Sequence, residues 1–242
     1  TERYKEAILG SEDKIIGERM EFIPQPQAAM TVMDQSTGYV RGIVGGRGEK
    51  EASLTLNRAS DTYRQPGSTF KILSAYGPAL EEGDITLATH IKDEEYSYED
   101  GTPLRNSDNQ YHGSVSVRQA IQNSYNIPAV KVLTDITPAE GFSYLQKLGF
   151  TTLDEERDEI QPLALGGITN GVSNLELTAA YAAIASGGMY REPVFYTEVT
   201  DQDGKVILSN EVQGQRVFKE STAFLLTSAM EDVVSQGTGT GF

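Results

Sequence analysis

The chain has 242 residues, 38% of them apolar, which suits one sizeable domain closing a cleft between two lobes. Its 35 Asp and Glu against 20 Lys and Arg leave a formal charge of −15, opposing association with nucleic acid or an anionic membrane surface. The lack of cysteine excludes disulfides, thiolate nucleophiles and thiolate-held metals, and no window approaches the roughly 18 apolar residues of a membrane span or carries a secretory leader.

Residues 1–27 mix charges with Pro24 and Pro26 and show no sustained period, so they read as a linker in a piece of something longer. Ala28 to Met33 and Tyr39 to Val44 are β-rich runs around Asp34-Gln35-Ser36-Thr37-Gly38, a hairpin pattern with glycine where the loop needs positive φ. Gly67-Ser68 opens a helix on which Phe70, Leu73, Tyr76 and Leu80 recur at helical spacing until Gly83 stops it. Residues 92–115 are polar and turn-rich and read as a surface excursion.

Ser116-Val117-Arg118-Gln119 is a capping box whose helix breaks near Asn126, with Pro128 in the first turn of the next, so Ser124 to Asn126 form an interhelical corner. Thr137 to Glu140 and Ser173 to Glu176 cap two further helices, ended by Gly149 and Gly187-Gly188. Glu198 to Leu208 reads as a hairpin around Asp203-Gly204, and Ser221 to Ser235 as an amphipathic helix before a Gly-Thr run. The expected fold class is mixed α/β (α+β), an antiparallel sheet flanked by helices.

A serine hydroxyl becomes a nucleophile when a base lies within hydrogen-bond reach, and residues i and i+3 of a helix share a face. Ser68 and Lys71 have that spacing, with Phe70, Ile72 and Tyr76 as the apolar surroundings that lower a lysine's proton affinity. The helix N-terminus adds backbone N–H groups suited to an oxyanion. Spacing alone says little, because Ser11-Glu12-Asp13-Lys14 repeats it in the charged leading segment, and a serine at Ser68 also serves as a plain N-cap.

Other constellations fail. His90, just before the polar excursion, and His112, within it, read as solvated, which leaves no Ser-His-Asp arrangement. Asp201 to Gly204 lacks the later ligands of a calcium loop, and the terminal Gly-Thr run lacks the Lys of a phosphate cradle. Glu155, Glu156, Asp158 and Glu159 read as a solvated acidic face.

Context singles out Ser68. Arg64-Gln65-Pro66-Gly67-Ser68-Thr69-Phe70-Lys71 resembles the first motif of the transpeptidase domain of class A penicillin-binding proteins, the bifunctional cell-wall synthases. Ser124-Tyr125-Asn126, followed by Ile127-Pro128-Ala129-Val130, resembles the second, Ser-x-Asn. The competing Ser107-Asp108-Asn109 lacks the capped helix before it and the Asn-Ile-Pro after it. The resemblance runs from Ala28 to Phe242 and includes the Asp34 to Gly46 hairpin, Leu165-Gly166-Gly167, Gly171-Val172-Ser173, Ala180-Tyr181-Ala182 and Gly187-Gly188-Met189-Tyr190, which makes 28–242 the expected transpeptidase domain.

The resemblance implies Ser68 as acyl-accepting nucleophile, Lys71 as its proton acceptor, Ser124 as the relay to the leaving amine and Asn126 as a substrate-orienting amide. It implies a peptidoglycan stem peptide ending in D-Ala-D-Ala, an acceptor stem amine and trapping by β-lactams, with no metal and no cofactor. One departure stands out: no Lys-Thr-Gly third motif is present, and the sequence stops just where the family's Gly-Thr run precedes it. The expectation is a truncated domain whose missing strand lies on a longer parent or a second chain. A glycosyltransferase half and membrane anchor would lie upstream, placing the parent on the extracytoplasmic face of the bacterial membrane. Rival readings are a D,D-carboxypeptidase or β-lactamase, with water as acceptor, and a non-catalytic β-lactam sensor module.

Overall fold

The computed structural model of the protein describes residues 10–15, 17, 26–50 and 52–241. The linker expected over 1–27 lies largely outside them, although Ser11 and Lys14 are described and sit exposed around a turn closed by Asp13 N–H donating to Gly10 O.

The first hairpin pairs β1 (Met30–Met33) with β2 (Val40–Val44) antiparallel, Met30 opposite Val44 and Val32 opposite Gly42. Its connecting turn holds Gly38 at φ +79°, the left-handed conformation that glycine adopts without a Cβ penalty.

At the centre lies the segment that carries Ser68. It opens as a 3-10 turn over Gly67–Thr69, widens into a π-helical stretch over Lys71–Tyr76 and finishes as α1 (Gly77–Glu82), with Gly83 at φ +85° ending it. One regular helix was expected from the apolar spacing. The winding changes just ahead of Pro78, which has no N–H to donate to Ser74 O four residues back, and the turn before it widens. The wider winding shows in the Gly77 N–H, which donates to Ile72 O five residues back. Such stretches occur often at functional sites.

Residues 92–115 fold more tightly than a surface excursion. β3 (His90–Asp93) pairs with β6 (Gly113–Ser116), and β4 (Tyr96–Ser97) pairs with β5 (Pro103–Leu104) between them. Asp93, Leu104 and Asn106 are buried. Much of the segment stays exposed as its polarity suggests, but Asp93 and Asn106 are drawn inward by bonding to each other and, through Asp93, to His112.

α2 (Val117–Gln122) starts at the Ser116/Gln119 capping box, both of whose reciprocal hydrogen bonds form. α3 (Asn126–Ile136) follows after three residues, α4 (Pro138–Lys147) is capped by Thr137, and the four-residue α5 (Glu155–Asp158) precedes a 3-10 turn over Gln161–Leu165. α6 (Asn174–Ala185) begins at the Ser173/Glu176 capping box and packs on β1, where Thr31 Oγ1 donates to Asn174 Oδ1 at 2.8 Å. β7 (Met189–Arg191), β8 (Glu198–Thr200), β9 (Val206–Ser209) and β10 (Gly214–Arg216) lead to α7 (Glu220–Ser235). Among the described residues no helix is long and apolar enough to cross a membrane.

The class is mixed α/β as expected, with all strand pairing between named strands antiparallel. The strands are spread over small sheets of two strands each, β1–β2, β3–β6, β4–β5, β7–β10 and β8–β9, rather than gathered in a single sheet. The core is therefore mainly helical. Phe70, Leu73 and Tyr76 from the π-helical stretch and the turn before it meet Ile127 and Leu133 of α3, Leu145 of α4 and Leu163, all fully buried. Phe70 also stacks obliquely on Phe150, their ring centres 5.0 Å apart. The π-helical stretch is thus held rigid from several sides, and one end of it carries the site.

Candidate functional site

Ser68 lies in the 3-10 turn and is exposed. Two glycine-rich approaches fix that turn. Gln65 forms a two-way amide bond with the backbone of Ile168, accepting from its N–H at 3.1 Å and donating to its carbonyl. Arg64 and Val172 exchange backbone hydrogen bonds at 2.9 and 2.8 Å. Gly166, at φ +72°, comes so close that a Cβ there would stand 2.5 Å from Gly67 N. From the other side Tyr181 Oη donates to Thr69 O at 2.8 Å.

Lys71 is buried, 3% exposed. Its Nζ donates to Ser124 O at 2.5 Å, to Asn126 Oδ1 at 2.7 Å and to Ser124 Oγ at 3.1 Å. These partners are neutral, and none of the described ion pairs involves Lys71. Burial without a carboxylate penalises the ammonium and brings its pKa from 10.5 down to about 7. A lysine in that range is a working base at neutral pH.

The corner opposite is strained. α2 ends at Gln122, and Ser124 takes φ +54°, a left-handed conformation unusual for a residue with a Cβ. Ser124 N–H still donates to Ile121 O at 3.1 Å and Tyr125 N–H to Ala120 O at 3.0 Å, so the reversal is tied down rather than loose. It turns the Ser124 hydroxyl and carbonyl towards Lys71.

Three of the four expected residues therefore meet directly: Lys71, Ser124 and Asn126. Ser68 stands three residues before Lys71, and among the described residues no hydrogen bond joins its Oγ to Lys71 Nζ. Ser107, Asp108 and Asn109 lie in an exposed turn on residues 106–109, and among the described residues none of the three hydrogen-bonds to Lys71, Ser124 or Asn126.

Residues behind the site escape a reading from sequence. His112, expected to be solvated, is half-buried: its Nδ1 lies 2.7 Å from Asp93 Oδ2, its Nε2 lies 3.1 Å from Asp108 Oδ2, and its ring stacks on Tyr125. Asp158, expected on a solvated face, is 1% exposed and accepts from Thr169 N at 2.8 Å, Thr169 Oγ1 at 2.7 Å and Asp154 N at 2.9 Å. It pins the 166–171 loop that lies against the Ser68 turn, whereas Glu155 and Glu156 are exposed as read. No local signal marks Asp158; the acidic run in which it stands hides it.

Comparison with known proteins agrees with this architecture. The family described as the penicillin binding protein transpeptidase domain matches residues 28–242. Penicillin-binding protein 1F of Bacillus subtilis is 39% identical over 214 residues, covering 88% of this chain, which spans 29% of that protein's length. Among solved structures, penicillin-binding protein 1A from Haemophilus influenzae shares the fold at TM-score 0.77 and 24% identity, over 91% of this chain and 37% of that one. The PonA1 protein of Mycobacterium tuberculosis, solved in complex with penicillin V, does so at TM-score 0.73 and 21% identity, over 86% and 56%. The chain belongs to the penicillin-binding protein transpeptidase domain family.

Proposed function

We propose that the chain carries out serine D,D-transpeptidase chemistry on peptidoglycan stem peptides. Ser68 Oγ attacks the carbonyl of the penultimate D-Ala and its proton passes to neutral Lys71 Nζ. The N–H groups of the opening turn, which a helix start leaves without intrahelical partners, suit the oxyanion that forms. The C–N bond to the terminal D-Ala then breaks. Its nitrogen takes a proton through Ser124 Oγ, which already accepts from Lys71, while Asn126 orients the stem peptide. The acceptor amine next attacks the Ser68 ester, an amide cross-link forms, and the proton returns to Ser68. A β-lactam enters the same first step, but its leaving nitrogen stays tethered, so the ester persists.

The observation that carries this reading is the buried Lys71, paired with no carboxylate, hydrogen-bonded to Ser124 and Asn126 and one turn from an exposed serine. The chain spans 29% of the length of each of two curated relatives, penicillin-binding protein 1F of Bacillus subtilis and penicillin-binding protein 1A of Clostridium tetani, so a longer protein with a membrane anchor and an extracytoplasmic site belongs to the proposal too.

The test is to incubate the chain with a stem pentapeptide ending in D-Ala-D-Ala and an amine acceptor, following D-Ala and the new amide by mass spectrometry. Equal release of D-Ala and amide is the expected result. D-Ala without amide would make it a carboxypeptidase, rapid hydrolysis of a chromogenic β-lactam a β-lactamase, and adduct without D-Ala release a sensor.

A further inference from the structure

α3 begins without a cap of its own. Tyr125 occupies the N-cap position and offers no side-chain hydrogen bond, although the first N–H groups of a helix have no intrahelical partners. Here two of them converge on one distant atom: Asn126 N and Ile127 N donate to Asn106 Oδ1 at 2.8 and 3.3 Å. The cap is supplied by tertiary structure, from twenty residues upstream.

Asn106 is itself fixed. It is 3% exposed, and its Nδ2 donates to Asp93 Oδ1 and Oδ2 at 2.9 and 2.8 Å and to Gln110 O at 2.9 Å. The reversed amide would set its nitrogen against two N–H groups and its oxygen against a carboxylate, so only one orientation satisfies the site. Asp93, 0% exposed, also accepts from His112 N at 3.0 Å and meets His112 Nδ1 at 2.7 Å. The His112 ring stacks on Tyr125 with centres 4.0 Å apart, between Ser124 and Asn126. The neighbouring Arg105 O accepts from Asn126 Nδ2 at 2.8 Å, which leaves Asn126 Oδ1 turned to Lys71.

We propose that Asn106, backed by Asp93 and His112, is a positioning residue for acyl transfer. By capping α3 it holds the strained Ser124 to Asn126 corner where Ser124 Oγ and Asn126 Oδ1 meet Lys71. This role rests on the function proposed above, because it acts only through those residues.

Two readouts separate the ideas: amide hydrogen exchange by NMR, and acylation by a fluorescent penicillin resolved into binding and a first-order step. Asn106→Ala should speed exchange at Asn126 and Ile127 at least about tenfold while Ala180 and Ala183 in α6 stay protected. The first-order step should fall by up to about 10²-fold, with the binding constant within about threefold of the parent. Val217→Ala, a core truncation away from the site, should slow nothing at a comparable loss of Tm.

Asn106→Asp sets two carboxylates face to face and should be worse. Adding Asp93→Asn restores one carboxylate and one amide and should recover the rate to within about tenfold of the parent. This pair decides the matter if Asn106→Ala fails to fold. Unchanged exchange at Asn126 and Ile127, an equal slowing in Val217→Ala, or no recovery in the paired exchange would overturn the proposal. A parent chain that forms no adduct sinks the functional reading instead, and the exchange data still decide whether Asn106 fixes the corner.

Discussion

Replacing Lys71 by alanine should lower the rate of acylation by a β-lactam by roughly 10²- to 10⁴-fold, the range of a positioned general base. Arginine should fare no better. It keeps a cation at that place, but it does not release its proton near neutral pH, so a purely electrostatic role for Lys71 predicts survival of Lys71→Arg and a base predicts loss. The pH profile separates the same two roles. Burial brings the Lys71 pKa to about 7, and in the proposed base role only the neutral amine could accept the Ser68 proton. The rate should therefore climb about tenfold from pH 6 to pH 8 and then level off. A flat profile, or a rise deferred to the ordinary lysine range, would remove Lys71 from the role.

The same burial has a sign for stability. Between about pH 7 and 10.5 the unfolded chain holds a proton at Lys71 that the folded chain has lost. The Lys71 contribution to stability is thus least below pH 7 and grows as pH rises through that window.

A change at Gly166 should damage both stability and reaction. The residue sits at φ +72°, and an added Cβ would stand 2.5 Å from Gly67 N and 2.6 Å from Gly67 O. Gly83 offers the control, because it has φ +85° but nothing within 4 Å of an added Cβ. Gly83→Ala should cost about 1 kcal/mol for the backbone conformation alone and leave acylation intact. Gly166→Ala adds an overpacking clash and should cost about 3 kcal/mol, lowering Tm by roughly 6 to 12 °C. It should also slow acylation, since the clash falls on the turn that presents Ser68. Equal effects of the two substitutions on Tm and rate would show that the close approach of the 166–171 loop has no consequence.

What the sequence discloses here is what is encoded locally. Capping boxes at Ser116 and Ser173 are readable because both partners lie within four residues, and both form. The corner before α3 is readable for the same reason, from the end of one capped helix and from Pro128. The π-helical winding was not, because the apolar spacing of Phe70, Leu73, Tyr76 and Leu80 fits a regular helix and does not show how Pro78 alters the turn before it. Nor were Asp93, Asn106, His112 and Asp158 legible as interior groups. Their partners lie up to about 20 residues away, so burial comes from pairing that no short window contains. A polar residue is read as solvated until its partner is known. The second layer of the site is built largely from such residues.

The most direct test of Ser68 as the nucleophile is the intact mass of the chain after incubation with a fluorescent penicillin, with Ser68→Ala and Ser11→Ala in parallel. One adduct is expected on the parent and on Ser11→Ala, and none on Ser68→Ala. An adduct that survives Ser68→Ala, or a parent that forms none even when extended beyond Phe242, would contradict that assignment.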